Sequence, residues 1–315
     1  MYNGVINVYK EKGFTSFDVV AKLRGILHQK KIGHTGTLDP DAEGVLVVCL
    51  GSATKLCEIL TDKDKSYEAT LLLGKTSDTE DISGNILSEC DVTASEEEIR
   101  KAVLSFVGEY EQTPPMYSAI KVNGKKLYEL AREGKEIERT KRPVVIQRID
   151  ILSVDVPRVT FKVSCGKGTY IRSLCRDIGE KLGCGGLMEQ LVRNSVDCKE
   201  TGLSFVKEDA LTLAKIEELV NSGMMEDKIL PIDSMFPKLP RFKIQDRGEK
   251  KLANGNILKT RELCMLSQQP SDEKEVQSYE KNGTQCLVYD WNGVFTAIYR
   301  YDSRLNAWKA EKMFL

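Results

Sequence analysis

Strand-like and helix-like patterns follow one another along this chain without a regular alternation. An apolar segment at 4–9 precedes a helical pattern that places Val20, Leu23 and Leu27 on one face. The short, uniformly apolar run at 45–50 has the pattern of a strand that is buried on both faces. Because a doubly wound parallel sheet requires repeated strand–helix–strand units, the irregular order favours a mixed α+β fold.

Other segments have patterns that suit this class. Alternation of apolar and polar residues predicts a strand at 67–73, and two further strands are predicted at 144–152 and 159–165. Helices are predicted at 96–107 and at 170–182. Both kinds of element are therefore expected to contribute to one core.

The chain of 315 residues is long enough for one large domain and one small domain. Pro231, Pro237 and Pro240 indicate a linker, and the short strand-like runs that follow it are bounded by turns. We therefore predict a large domain at 1–235 and a small, β-rich domain at 241–315.

Composition excludes several classes of protein. No run approaches the roughly 18 apolar residues that a membrane span needs, and the first residues lack the pattern of a secretion signal. The nine cysteines have no paired CxxC spacing, which argues against a disulfide framework and a structural zinc site. His28 and His34 lack the spacing of metal ligands. We expect a cytoplasmic protein without a membrane segment or a metal site.

The distribution of charge is more informative than the net charge of −1. The segment 116–148 contains nine basic residues and four acidic ones. A solvated, charged face is the simplest interpretation of such a segment. A surface that binds the phosphates of a nucleic acid is the alternative, because such a surface must be electropositive.

The densest cluster of reactive residue types lies in the polar, glycine-containing segment 29–43, which we predict to be a loop. Asp39, Asp41 and Glu43 are candidates for nucleophilic or acid–base roles. The same carboxylates are also suited to turns in which an Asp side chain bonds backbone amides. His34 is either a general base or a polar loop residue bonded to the backbone. The local pattern does not choose between these interpretations.

Five short blocks of sequence are specific when they are taken together. They are GHTGTLDP at 33–40, KSYEA at 65–69, PMYSA at 115–119, GKKLY at 124–128 and GTYIRSL at 168–174. In this order, and with GFTS at 13–16 before them, they resemble the blocks of the bacterial tRNA pseudouridine-55 synthase B family. One departure is that Lys10 is followed by Glu11, where the family usually has a rigid proline.

The resemblance implies a role for each of several residues. It places Asp39 at the catalytic aspartate, Tyr67 at a tyrosine that packs against the target base, and Arg172 at an arginine that faces the aspartate. It also implies that Tyr170 lines the pocket beside that arginine, that Leu191 forms an apolar wall of the pocket, and that His34 helps to hold the RNA loop open.

The same resemblance implies the architecture and the contacts with RNA. The fold is expected to be the pseudouridine synthase α+β sheet domain, with an RNA-binding insertion at about 113–143 and a PUA-like domain at 241–315. The basic segment is then expected to bind phosphates. We predict contacts with the RNA backbone from six basic residues: Lys10, Lys121, Lys125, Lys126, Arg132 and Arg142.

The implied reaction isomerises uridine 55 in the T loop of tRNA to pseudouridine. Reactant and product are isomers, so no cofactor is expected. We expect tRNA to be the partner of a monomer that needs no obligatory protein partner. Two alternatives are a synthase of the H/ACA type, which is guided by a small RNA and modifies ribosomal RNA, and a noncatalytic chaperone that folds tRNA.

Overall fold

The computed structural model describes residues 1–61, 64–122, 124–198, 202–245, 248–266 and 276–315. The first elements in chain order are β1 (Gly4–Lys10), α1 (Ser16–Ile26), β2 (Ile32–His34), β3 (Glu43–Leu50), α2 (Cys57–Thr61), β4 (Asp64–Leu73), β5 (Lys75–Ser77), β6 (Ile86–Glu89), α3 (Glu96–Leu104), β7 (Gly108–Gln112), β8 (Lys121–Val122), β9 (Lys125–Lys126) and α4 (Leu127–Arg132). The remaining elements are β10 (Arg142–Asp155), β11 (Arg158–Cys165), α5 (Ile171–Leu182), β12 (Gly186–Cys198), β13 (Leu203–Val206), α6 (Leu213–Asn221), β14 (Arg241–Ile244), α7 (Glu249–Ala253), β15 (Leu263–Met265), β16 (Gln285–Tyr289), β17 (Phe295–Asp302) and β18 (Ala307–Met313).

A large mixed sheet is the centre of the fold. Its strand order is β1-β3-β12-β4-β11-β10-β7, with β2 paired to the edge of β3 and β13 paired to β12. Neighbouring strands are antiparallel except for β3 and β12, which are parallel. Helices α3 and α5 pack on one face, and α1 and α6 pack on the other. The predicted α+β class is confirmed.

Strand β3 has two buried faces, as its uniformly apolar sequence predicts. Val45 and Val47 point into a cluster that includes residues of the second, smaller sheet. Leu46 and Val48 point into the cluster beneath α1 and α6. The loop at 29–43 ends where this rigid strand begins, so the first residues of the strand have little freedom to move.

Local signals located the helices α1, α3 and α5. Thr15 and Asp18 form a reciprocal capping box at the start of α1. Helix α5 ends at Gly183, which adopts a left-handed conformation with φ of 76°. Helix α3 ends at Leu104, three residues before the predicted end, because the backbone turns at Ser105.

Several strands were not predicted from the sequence, among them β2 and β12 of the large sheet. The segment 29–43 is not a loop throughout, because Ile32–His34 forms the short strand β2 against β3. Strand β12 lies between β3 and β4 at the middle of the large sheet. It has little apolar periodicity because polar residues such as Arg193 and Ser195 find their partners on neighbouring strands.

The smaller sheet has the strand order β15-β14-β16-β17-β18 and lies in the β-rich region predicted after residue 241. The proline-containing segment before it is packed against both sheets. Ile232 and Met235 are buried in one apolar cluster with Val47 of the large sheet and Leu287 of the small one. Within the described ranges, no helix combines the length and the apolar character that crossing a membrane requires.

Candidate active site

Asp39 and Arg172 form an ion pair where the loop before β3 meets the first turn of α5. Nε of Arg172 lies 3.0 Å from Oδ2 of Asp39, and Nη2 donates to Oδ1 at 3.4 Å. The guanidinium also donates to the carbonyl oxygens of Thr79 at 3.0 Å and Tyr117 at 2.9 Å. These hydrogen bonds fix the orientation of the planar guanidinium, so that two of its nitrogen atoms face the carboxylate of Asp39.

The loop that carries Asp39 is attached to the turn before α1. The amide of Leu38 donates to Oγ of Ser16 at 2.9 Å, and the amide of Gly13 donates to the carbonyl oxygen of Pro40 at 2.9 Å. The blocks GFTS and GHTGTLDP therefore hold each other in place. Through these bonds the turn before α1 positions the loop that carries the carboxylate.

Lys10 does not lie where we predicted. Its side chain is fully buried, so the predicted contact with RNA is wrong. Nζ donates to the main-chain carbonyl oxygens of Glu11 at 3.2 Å, Phe14 at 2.6 Å and Pro40 at 3.1 Å. Burial lowers the pKa of Lys10 to about 8. Lys10 thus stabilises the loop. One of its acceptors is the main-chain carbonyl oxygen of residue 11, which glutamate and proline both have, so Glu11 in place of the family's proline does not remove this contact.

The pKa of Asp39 is raised above its ordinary value. Burial of the carboxyl group is the largest cause, and the nearby charge of Asp81 acts in the same direction. Arg172 lowers the pKa of Asp39, but its effect is smaller than that of burial. The site therefore holds a carboxylate that binds a proton more readily than a free aspartate does.

A cavity of about 500 Å³ opens beside this ion pair. Tyr67 and Tyr170 line it, together with Thr37 of the loop. Neither Asp39 nor Arg172 lines the cavity directly, but the charge of Asp39 raises the pKa of both phenols, which places the carboxylate near the two tyrosines. The structure thus brings both predicted tyrosines and the ion pair to one place.

The ring of Tyr67 belongs to the core as well as to the cavity. Tyr67 and Leu191 are buried in the same apolar cluster, on the adjacent strands β4 and β12. Burial raises the pKa of the Tyr67 phenol to about 12, so the phenol is protonated at neutral pH. The predicted apolar wall and the predicted stacking ring are thus neighbours.

His34 is the last residue of β2 and is about half-buried. Burial lowers its pKa, and the positive charge of Arg193 acts in the same direction, so the imidazole is neutral at pH 7. The backbone of Gly36 acts on this pKa in the opposite direction. Nδ1 of His34 is buried and has no hydrogen-bond partner among the described residues. A buried polar atom without a partner is uncommon in folded proteins.

The other predicted basic residues lie on or next to the insertion. The hairpin of β8 and β9 places Lys121 directly opposite Lys126, an arrangement that is unfavourable without an anion nearby. Lys126 and Arg132 pack against the ring of Tyr128, at 5.3 and 5.5 Å from its centre. Lys121, Lys125, Arg132 and Arg142 are exposed, and Arg142 also lines the cavity.

Two buried polar residues of the site were missed by sequence reasoning. Gln112 accepts a hydrogen bond from the amide of Tyr170 at 2.8 Å and donates one to its carbonyl oxygen at 3.0 Å, which fixes the entrance to α5. Arg193 lines the cavity from the middle of β12. No local sequence pattern indicates either residue, because the hydrogen-bond partners of both are distant in sequence.

A larger cavity, of about 950 Å³, lies along the other side of α5. Its buried charges already pair with one another. Glu80 accepts hydrogen bonds from Ser173 and Arg176, and Arg176 also contacts Asp177 at 2.6 Å. A network of this kind leaves little unpaired charge for a substrate, so we assign the candidate active site to the smaller cavity.

Comparison with known proteins identifies the family. Residues 24–171 match the model for the N-terminal domain of TruB family pseudouridylate synthases, and residues 172–237 match the model for the C-terminal domain of tRNA pseudouridylate synthase B. A protein of Lachnoclostridium phytofermentans named tRNA pseudouridine synthase B is 53% identical over 99% of this chain and 100% of its own length. The chain belongs to the TruB family of pseudouridylate synthases.

Further similarities agree with this TruB assignment. A tRNA pseudouridine synthase B of Alkaliphilus oremlandii is 47% identical over 89% of the chain and 90% of its own length. Among solved structures, a chain of a Cbf5-Nop10-Gar1 complex matches with a TM-score of 0.66 and 26% identity, over 99% of this chain and 85% of that one. A chain of the archaeal box H/ACA sRNP Nop10-Cbf5 complex gives a TM-score of 0.66 and 25% identity, over 99% of this chain and 86% of that one.

Proposed function

We propose that this TruB-family protein is a tRNA pseudouridine synthase that isomerises uridine 55 in the T loop to pseudouridine. The relatives named tRNA pseudouridine synthase B support the reaction and its substrate class. The observation that carries the proposal is the Asp39–Arg172 ion pair at the edge of a cavity with two tyrosines. The position within tRNA comes from the resemblance of the sequence blocks.

The chemistry requires one charged oxygen beside the ribose. The bond between C1′ and N1 breaks, the uracil turns, and C5 joins C1′. In this proposal the carboxylate of Asp39 either attacks C1′ or removes the 2′ proton, and Arg172 holds it in position. Tyr67 offers a flat face against which the base stacks. The loss of the C5 proton is balanced by the proton that N1 gains.

The target uridine must leave the stack of the T loop before Asp39 reaches its sugar. This step costs a few kcal/mol, which contacts with the RNA backbone must offset. We assign those contacts to Lys121, Lys125, Lys126, Arg132 and Arg142. They lie on the insertion or at its junction with β10, and four of them are exposed.

The remaining assignments follow the same logic. Tyr170 and Leu191 shape the pocket for the detached uracil, and His34, about half-buried at the end of β2, helps to hold the RNA loop open. We propose residues 1–235 as the catalytic domain and 241–315 as a PUA-like domain. A tRNA substrate implies that the protein works in the cytoplasm.

Two other functions are less well supported. A synthase of the H/ACA type is represented by structural neighbours at 25–26% identity, far below the 47–53% of the relatives named for tRNA. A noncatalytic RNA chaperone does not require a buried arginine that forms an ion pair with a carboxylate. That ion pair therefore favours the enzyme.

Replacement of Asp39 tests the proposal. Purified protein is incubated with unmodified tRNA, and pseudouridine is mapped by chemical sequencing. We expect Asp39→Asn to bind tRNA normally and to lose about 10⁴-fold or more in rate, as other enzymes do when a nucleophile is removed. Asp41→Asn is the matched control, because Asp41 is an exposed aspartate of the same loop.

The outcomes separate the candidate functions. Product at position 55 from the wild type and from Asp41→Asn, but not from Asp39→Asn, agrees with the proposal. Normal product from Asp39→Asn removes this residue from catalysis. If the wild type binds and refolds tRNA without forming pseudouridine, the chaperone is the better assignment.

A further inference from the structure

Arg193 occupies an unusual place for a charged residue. It lies near the middle of β12, where the parallel pairing with β3 sets it opposite Gly44 and the antiparallel pairing with β4 sets it opposite Tyr67. Arg193 therefore lies between β3, which follows the Asp39 loop, and β4, which carries Tyr67.

Close packing at this point restricts its neighbours. Gly44 has a φ of 103°, and a β-carbon there would collide with the main chain of Arg193. Glycine is required both for this backbone conformation and for the close approach of the two strands. The position of Arg193 relative to the loop is thus fixed by the backbone.

Arg193 is 2% exposed, yet its guanidinium forms no ion pair with a carboxylate among the described residues. Its acceptors are neutral. Nε donates to the carbonyl oxygen of Val45 at 2.6 Å and Nη2 donates to that of Gly36 at 3.2 Å. The phenol of Tyr67, directly opposite Arg193 on β4, is the third neutral acceptor next to the guanidinium. A buried cation with only neutral acceptors is costly, which requires an explanation beyond packing.

The three acceptors belong to the parts that the reaction must align. Gly36 lies in the loop three residues before Asp39, Val45 begins the strand after that loop, and Tyr67 is the ring proposed to stack on the base. Building on the proposed function, we propose that Arg193 is a positioning residue that ties the Asp39 loop to the phenol of Tyr67. It sets the separation between the carboxylate and the ring.

The alternative is that Arg193 only stabilises the sheet. A structural role would lower the stability of the protein without changing the chemical step of the folded fraction. A positioning role predicts a slower chemical step with unchanged tRNA affinity. A shift of about 1 Å in the geometry of a site can reduce a rate about 10²-fold.

Arg193→Gln is the principal variant, because a neutral amide retains hydrogen-bonding capacity and is buried at lower cost than a guanidinium. Arg158→Gln is the matched control: Arg158 is an exposed arginine of the same sheet, paired with Glu189 of β12 at 2.8 Å. Should the first variant not fold, Arg193→Lys replaces it, since an ammonium keeps the charge but lacks the fork that spans three acceptors.

Single-turnover rates, tRNA affinities and unfolding temperatures are measured for the variants and for the wild type. We expect Arg193→Gln to reduce the single-turnover rate about 10²-fold with an unchanged Kd for tRNA. The Tyr67→Phe variant lacks the phenol oxygen with which Arg193 interacts. In that background, Arg193→Gln should therefore reduce the single-turnover rate by less than about a further threefold. Equal losses in both backgrounds, a loss confined to Kd, or no loss would overturn the proposal.

Hydrogen exchange gives a readout that does not need activity. The amides of residues 35–38 should exchange at least about tenfold faster in Arg193→Gln than in the wild type or in Arg158→Gln, because the carbonyl of Gly36 loses its anchor. Unchanged exchange would overturn the proposal even if the protein proved not to be a synthase. An inactive wild type would instead overturn the proposed function.

Discussion

Asp39 has a raised pKa, and the direction of that shift predicts how activity depends on pH. The reaction proposed here needs the ionised carboxylate, so the rate of the chemical step should fall as the pH decreases through the raised pKa. The acid limb of the profile should therefore lie above the ordinary pKa of an aspartate. Single-turnover rates across the acidic range measure this limb.

Substitution of Asp81 should shift the acid limb of the pH–rate profile. Its charge raises the pKa of Asp39, and its Oδ2 lies 3.9 Å from Nη1 of Arg172. Removing the charge in Asp81→Asn should lower the pKa of Asp39 and shift the limb to lower pH. An upward shift, or none, would contradict the assignment of the limb to Asp39.

The same pKa shift has a consequence for stability. Because the folded-state pKa of Asp39 is raised, the folded protein binds this proton more tightly than the unfolded chain does. The contribution to stability is present at low pH and is lost as the pH rises through the raised pKa. Asp39→Asn should consequently not lower the unfolding temperature near neutral pH, which makes it a clean test of chemistry.

At the level of single residues, the sequence predicted the carboxylate and its arginine but not the supports around them. Asp39 and Arg172 lie in blocks specific enough to be recognised. Lys10 was predicted to contact RNA, whereas it is buried with its ammonium bonded to three carbonyl oxygens. Arg193 gave no signal. The burial of a charged residue depends on strand pairing, which a local pattern does not contain.

The hairpin of β8 and β9 and the helix α4 form an element whose charges predict how binding depends on salt. Replacing Lys125 and Lys126 with Ala should weaken tRNA binding. The slope of log K against log salt concentration should decrease in magnitude by about 1.4 to 1.8 if both lysines contact phosphates. Filter binding at several salt concentrations measures the slope.

The matched control replaces Lys215 and Lys228, which are exposed on and after α6, away from the insertion. The control should leave the slope unchanged, since the net charge falls equally but no phosphate contact is lost. Equal changes in both double variants would indicate a general charge effect, and an unchanged slope for Lys125 and Lys126 would place the RNA elsewhere.

At the level of elements, strands and helices with strong periodicity were predicted and the central strand was not. β3, β10, β11 and α5 have uniform, alternating or helical apolar patterns that follow from their burial. β12 lies between two strands and contributes polar side chains to the site. Its sequence is shaped by function as much as by burial, so the pattern of a core strand is weak.

The two sheets share an apolar cluster, so the whole molecule should unfold as one unit. Val47 of the large sheet and Leu287 of the small one lie in the same cluster, and Tyr289 donates a hydrogen bond to Asp233 of the connecting segment at 2.7 Å. Separating the sheets would expose both faces of this cluster to water. We therefore expect a single cooperative transition.

The positions of the tryptophans allow this prediction to be tested. Trp291 and Trp308 are the two tryptophans of the chain and both lie in the region of the small sheet, whereas far-UV circular dichroism mostly reports the helices and strands before residue 221. Fluorescence and dichroism should give the same denaturation midpoint. Leu258→Ala, in the separate core of the small sheet, should cost about 2–5 kcal/mol and move both midpoints together. A shift seen by fluorescence alone would show that the small sheet unfolds independently, and the shared cluster would then contribute little to the stability of the catalytic region.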